Sequence, residues 1–167
     1  MMLCVLLCGT LASCGRSGKQ SGAATIQQAN TALKNRELPM LPLSVTSVQC
    51  WKGGVFAKYM NIKFRASPEE AIDYFRRAGA ECYFEFQEED GRYSVTATHP
   101  LTDSPVSAEK PSLFELEHKT GIADEPWFRS VYDIRHGWYS TSLRNPAGYQ
   151  LYYDVDTQQF YIYWWYS

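Results

Sequence analysis

The sequence predicts an α+β domain: a mostly antiparallel sheet of about six or seven strands, one helix packed on it (about 68–78), and a short N-terminal helix (about 26–36). Three observations predict it. Capping-box signatures stand before two runs of helical period, glycine-centred turns separate alternating segments in the middle of the chain, and the last thirty residues alternate through two further turns.

The N-terminal helix is read from Thr25 and Gln28, a capping-box pair, followed by Ile26, Ala29 and Leu33 at helical spacing until Pro39 ends the run. Beyond the link Pro39-Met40-Leu41-Pro42, segments 44–51 and 56–65 alternate apolar with polar around Lys52-Gly53-Gly54, the signal of a hairpin. Phe56, Met60, Ile62 and Phe64 are expected to face the core. The clearest element begins at Ser67-Pro68-Glu69-Glu70, with an N-cap serine, proline at the first helical position and glutamate at the capping-box position. It stops at Gly79, and Ala71, Ile72, Phe75 and Ala78 form its expected apolar stripe.

Segments 81–87 and 92–98 flank Glu89-Asp90-Gly91 as a second hairpin. Residues 99–112, with three prolines, read as a long surface loop, and the pattern from Pro126 to His136 fits either a helical turn or an irregular crossing. A three-strand meander over 137–143, 148–154 and 159–166 completes the chain, joined through Asn145-Pro146-Ala147-Gly148 and Val155-Asp156-Thr157-Gln158.

A chain of 167 residues, 45% hydrophobic and 20% charged, is sized for one globular domain over 25–167. Its net charge of −2 supplies no basic stripe for a phosphate backbone, so nucleic acid is not an expected partner.

Residues Leu3 to Ser13 are apolar or small, the length of a signal-peptide core and too short for a mature transmembrane helix. The run closes on Leu11-Ala12-Ser13-Cys14-Gly15, which resembles the lipobox of bacterial lipoproteins. That resemblance implies a signal peptide over 1–13, lipidation of Cys14, and a tether over 14–24 rich in glycine and serine. It also implies a domain held in the cell envelope outside the cytoplasm, on the outer membrane if the cell has one. The acyl chains then supply the anchor, at about 0.8 kcal/mol per buried methylene.

Removing the leader discards Cys4 and Cys8 and lipidation consumes Cys14, which leaves Cys50 and Cys82. Alternation points both inward. Two readings stand: a disulfide contributing roughly 3–4 kcal/mol, or two buried thiols on strands too far apart to bond.

Little chemistry is assembled by spacing. His99, His118 and His136 lie apart, no His-x-x-x-His or Cys-x-x-Cys pair is present, and no metal site or cofactor is expected. Asp133 and His136, three residues apart, are the nearest approach to a dyad. Asp154 and Asp156 read as turn residues, without the glycine and third ligand of a calcium loop.

The aromatic C-terminus carries the functional expectation. Pairing Asp154 with Gln159 sets Tyr153, Leu151 and Tyr149 opposite Phe160, Ile162 and Trp164 on one face, the core. The other carries Tyr152, Tyr161, Tyr163 and Trp165, with Gln150 opposite Tyr163. This second face is either a layer under the 99–128 segment or a platform for a protein or glycan ligand. The first choice of function is a non-catalytic envelope binding module using these four aromatics. The alternative is a hydrolase acting on an envelope polymer, with Asp133, His136 and carboxylates near the helices as acid and base.

Overall fold

The structure is a computed structural model that describes residues 24–53, 58–80, 82–90, 92–101, 127–129, 131–144 and 146–166. The leader, Cys14, most of the tether, Gly54, Phe56, Gly91, His118 and most of the proline-rich loop lie outside these residues, as does the side chain of His99.

Helix α1 spans Ile26–Lys34 and opens with the expected capping box, in which the Thr25 hydroxyl accepts from the Gln28 amide and the Gln28 side chain accepts from the Thr25 amide. It ends short of residue 36, in a turn closed by Glu37 at φ +57°. Strands β1 (Thr46–Gly53) and β2 (Lys58–Arg65) pair antiparallel, with a bulge between Thr46 and Gln49 where Ser47 takes φ +54°. Helix α2 (Pro68–Arg77) carries the second capping box, Ser67 with Glu70, and Gly79 at φ +75° stops it. Strands β3 (Cys82–Glu89) and β4 (Arg92–Pro100) form the next hairpin. A single 3-10 turn at Val131–Asp133 resolves the mixed signal before His136, and β5 (His136–Arg144), β6 (Ala147–Asp154) and β7 (Gln159–Tyr166) form the meander.

All seven strands join one antiparallel sheet in the order β1-β2-β7-β6-β5-β3-β4. The meander therefore lies between the two hairpins. Its outer strands meet partners distant in sequence, β7 on β2 and β5 on β3, and α2 is the crossover that carries the chain from one side of the meander to the other. The β6–β7 register is the one read from the sequence, Asp154 opposite Gln159 and Tyr152 opposite Tyr161.

Both helices cover the same face. Ala29, Ala32 and Leu33 of α1 and Ala71, Tyr74 and Phe75 of α2 pack with Met60, Ile62, Phe64, Leu151, Tyr153, Phe160 and Ile162. Phe75 stacks on Tyr83 at 5.4 Å, and Tyr74 meets Phe160 edge-on at 5.1 Å. The expected stripe on α2 is thus rotated: Tyr74 is fully buried while Ile72 and Ala78 lie at the margin. Tyr74 tolerates burial because its hydroxyl donates to the Pro39 carbonyl at 2.8 Å, a partner 35 residues away.

The opposite face has a core of its own: Cys82, Phe84, Phe86, Tyr139, Tyr152, Tyr161 and Tyr163 pack with Phe128, Val131 and Ile134 from the segment before β5. No helix among the described residues is long and apolar enough to cross a membrane.

Candidate functional site

The face opposite the helices divides into two halves. Over β5, β6 and β7, the Phe128 ring stands edge-on to Tyr152 at 6.0 Å and to Tyr161 at 5.5 Å, and the Tyr152 hydroxyl donates to the Arg129 carbonyl at 2.8 Å. Tyr152, Tyr161 and Tyr163 are each only 1% exposed. Of the two readings open from the sequence, Tyr152 and Tyr161 take that of a covered layer: they are core, roofed by Phe128, and not part of an exposed platform. The reason is that an aromatic face of two adjacent strands is too large to leave wet when an apolar segment can close on it. Burial pushes the hydroxyls of Tyr152 and Tyr161 well above the ordinary tyrosine range.

The other half, over β1, β2, β7 and the start of β6, differs in kind. Cross-strand pairing sets Trp51, Asn61, Tyr163 and Gln150 in one row, since Trp51 faces Asn61, Asn61 faces Tyr163, and Tyr163 faces Gln150. Asn61 is 0% and Gln150 1% exposed. Both amide atoms of Asn61, the Gln150 Oε1 and the Trp51 Nε1 are buried without a hydrogen-bond partner. More than nine in ten buried polar groups find a partner, and each one left without costs about 1–3 kcal/mol. Four such atoms lie on three residues of one row, and all four are closed to solvent.

The next row outward is aromatic, with Gly53 opposite Tyr59, Tyr59 opposite Trp165, and Trp165 opposite Gly148. A Cβ built on Gly148 meets the Trp165 indole, and one built on Gly53 meets the Trp51 indole. Both indoles therefore lie over bare backbone. Tyr163 stacks between Tyr59 at 6.3 Å and Trp165 at 5.4 Å. Tyr59 and Trp165 are partly exposed, so this end of the row is its edge toward water.

Of the residues expected in a binding face only Trp165 is partly exposed; Tyr163 stands in this row but is buried and packs in the same core as Tyr152 and Tyr161. Trp51 and Asn61 were missed. In β2 an Asn between Met60 and Ile62 reads as solvent-facing, whereas the structure buries it on a strand flanked by β1 and β7.

His136 finds Glu85, not Asp133, as its short partner. Its Nε2 lies 2.7 Å from Glu85 Oε1, and Nδ1 lies 3.9 Å from Asp156 Oδ1. Glu85 and His136 come from β3 and β5, strands 51 residues apart that pair directly. The pair fixes the imidazole tautomer and orientation. Among the described residues no serine, threonine or cysteine is hydrogen-bonded to His136. Asp154 is a turn residue as expected: its Oδ1 accepts from the amides of Asp156 and Thr157, and Arg129 lies 3.5 Å from its Oδ2.

Cys50 and Cys82 are buried and not bonded to each other. The first belongs to the helix-side core and the second to the opposite one. Five strand steps separate β1 from β3, about 24 Å at the usual spacing, whereas a disulfide needs Cα atoms within about 7 Å. The disulfide reading is corrected accordingly. Burial pushes the Cys50 thiol above its ordinary value, against the pull of Lys52 and Arg36, so it stays protonated and unreactive.

No protein-family model, curated protein or solved structure matches the chain.

Proposed function

We propose that the chain is a lipid-anchored protein of the bacterial cell envelope whose domain is a non-catalytic binding module for a glycan. The observation that carries the binding role is the partly exposed aromatic edge of Tyr59 and Trp165, behind which the row Trp51, Asn61, Tyr163, Gln150 is closed to solvent and holds four polar atoms without partners that a sugar reaches only by displacing that edge. A sugar ring offers what this surface lacks. Its hydroxyls both donate and accept, matching a primary amide, and its C–H faces lie on aromatic rings. A protein ligand fits less well, since a broad apolar or charged patch is not what this half presents. The anchor is supported by Leu11-Ala12-Ser13-Cys14 and the glycine- and serine-rich residues after it.

The test is equilibrium binding of the mature protein to soluble envelope glycans, peptidoglycan fragments and capsular or core oligosaccharides, read by saturation-transfer NMR and calorimetry. Trp165→Ala and Asn61→Ala are each expected to weaken binding at least about tenfold, which is about 1.4 kcal/mol. Glu85→Gln, at the far side of the sheet, is expected to bind normally. Saturable binding to none of these glycans, or binding indifferent to Trp165 and Asn61, overturns the proposal.

The hydrolase reading keeps one supporting observation, the half-buried His136–Glu85 pair at 2.7 Å. It predicts turnover of an envelope polymer that Glu85→Gln abolishes.

A further inference from the structure

Away from the sheet, the most exposed large apolar side chains among the described residues cluster beside the start of α1. Leu43 is 89% and Met40 58% exposed. With Ile26 they line a broad, shallow groove whose wall is the outward side of α1 at Gln27, Asn30 and Lys34.

The exposure is enforced by the fold. The Asn30 side chain accepts from the Leu41 amide at 2.6 Å and donates to the Leu41 carbonyl at 3.5 Å, and Arg77 donates to the Met40 carbonyl at 2.9 Å. On the other side of Leu43, the Ser44 hydroxyl donates to Glu70. Leu43 is thus held outward between two anchored neighbours and cannot fold back onto the core. A leucine fixed in water forgoes the burial free energy of its whole side chain, which favours an apolar cover.

We infer that this groove rests on the lipid bilayer and sets the orientation of the domain at the membrane surface. The inference rests on the proposed lipidation of Cys14, and the occupant is argued from where the chain outside the described residues arrives. Thr25 and Ile26, the first residues of α1, are themselves part of the groove. Only eleven residues, 15–25, separate Cys14 from Ile26, a span of at most about 40 Å when fully extended. Those eleven include Arg16 and Lys19 and no acidic residue, a charge that suits anionic headgroups. The lipid anchor therefore attaches to the domain at the edge of this groove. With the groove down, Ile26, Met40 and Leu43 enter the headgroup and acyl boundary while Lys34 at its wall stays at headgroup level.

The experiment uses the full chain produced in a host with a working lipoprotein pathway and reconstituted into phosphatidylethanolamine–phosphatidylglycerol vesicles. A fluorophore is attached at Gln27→Cys, on the groove wall, or at Thr157→Cys, in the exposed β6–β7 turn, and quenching by brominated lipids is measured. Quenching at 27 is expected to exceed that at 157 roughly threefold or more, as for a side chain at the acyl boundary. Met40→Glu with Leu43→Glu is expected to abolish the difference. These two positions are exposed, so the fold survives the change; unaltered circular dichroism checks that it does. Equal quenching at both sites in acylated, vesicle-bound protein overturns the inference and leaves the anchor standing, as does protection of residue 27 that requires a second copy of the chain. Absence of acyl mass on Cys14 overturns the anchor and this inference together.

Discussion

Tyr152 and Tyr161 stack across β6 and β7 with ring centroids 4.9 Å apart and planes 8° from parallel, and Phe128 closes over both. A pair stacked beneath a third ring is a core, whatever its polar tips suggest.

Removing either ring should therefore be costly. Tyr161→Ala or Tyr152→Ala is expected to destabilise the domain by about 3–5 kcal/mol, as other buried aromatic deletions do. Urea or thermal unfolding measures it. A loss within about 0.5 kcal/mol, the range of ordinary surface changes, contradicts the roofed arrangement.

Asn61 should behave in the opposite way. Replacing a buried amide that lacks partners with an apolar side chain removes a desolvation cost, so Asn61→Leu is expected to leave stability unchanged or raise it by about 1 kcal/mol. The same change is expected to abolish glycan binding. Stability that drops by several kcal/mol in denaturant titrations shows instead that the amide is already satisfied in the folded protein.

Alkaline pH should unfold the domain through its tyrosines. Burial raises Tyr153 to about 12, and it raises Tyr74, Tyr152 and Tyr161 as well. A folded-state value above the unfolded one, about 10, favours the protonated form. The associated stability is complete below pH of about 10 and is lost as pH rises toward about 12. Tyrosinate absorbance near 295 nm, followed with circular dichroism, is expected to show these four titrating only as the fold is lost. Ionisation of all tyrosines in the still-folded protein contradicts their burial.

Cys50 and Cys82 sit in different cores, so intact mass is expected to be unchanged by reduction. Unfolding without reductant should make both Cys50 and Cys82 alkylatable. A mass gain of two hydrogens on reduction argues for a different strand order.

Local chemistry made much of the fold legible in the chain. Both capping boxes, the Gly79 stop and the β6–β7 register were readable because each is decided by residues within a few positions of one another. The candidate site was only half legible: Tyr163 and Trp165 stood out as aromatics on one strand, whereas Asn61 and Trp51 carried no signal of their own.

Long-range pairing decided the rest. Nothing near β7 in the chain says that β2 lies beside it, yet that contact places Asn61 against Tyr163. Likewise β3 beside β5 joins Glu85 to His136, and the separation of β1 from β3 keeps Cys50 from Cys82. Whether the Tyr152 and Tyr161 face met water depended on Phe128, Val131 and Ile134 folding onto it. The physical reason is the same in each case. Hydrogen-bonded turns and caps act over a few residues and leave their signature in sequence, but sheet order and roofing minimise exposed apolar area over the whole chain, and only the assembled structure fixes that minimum.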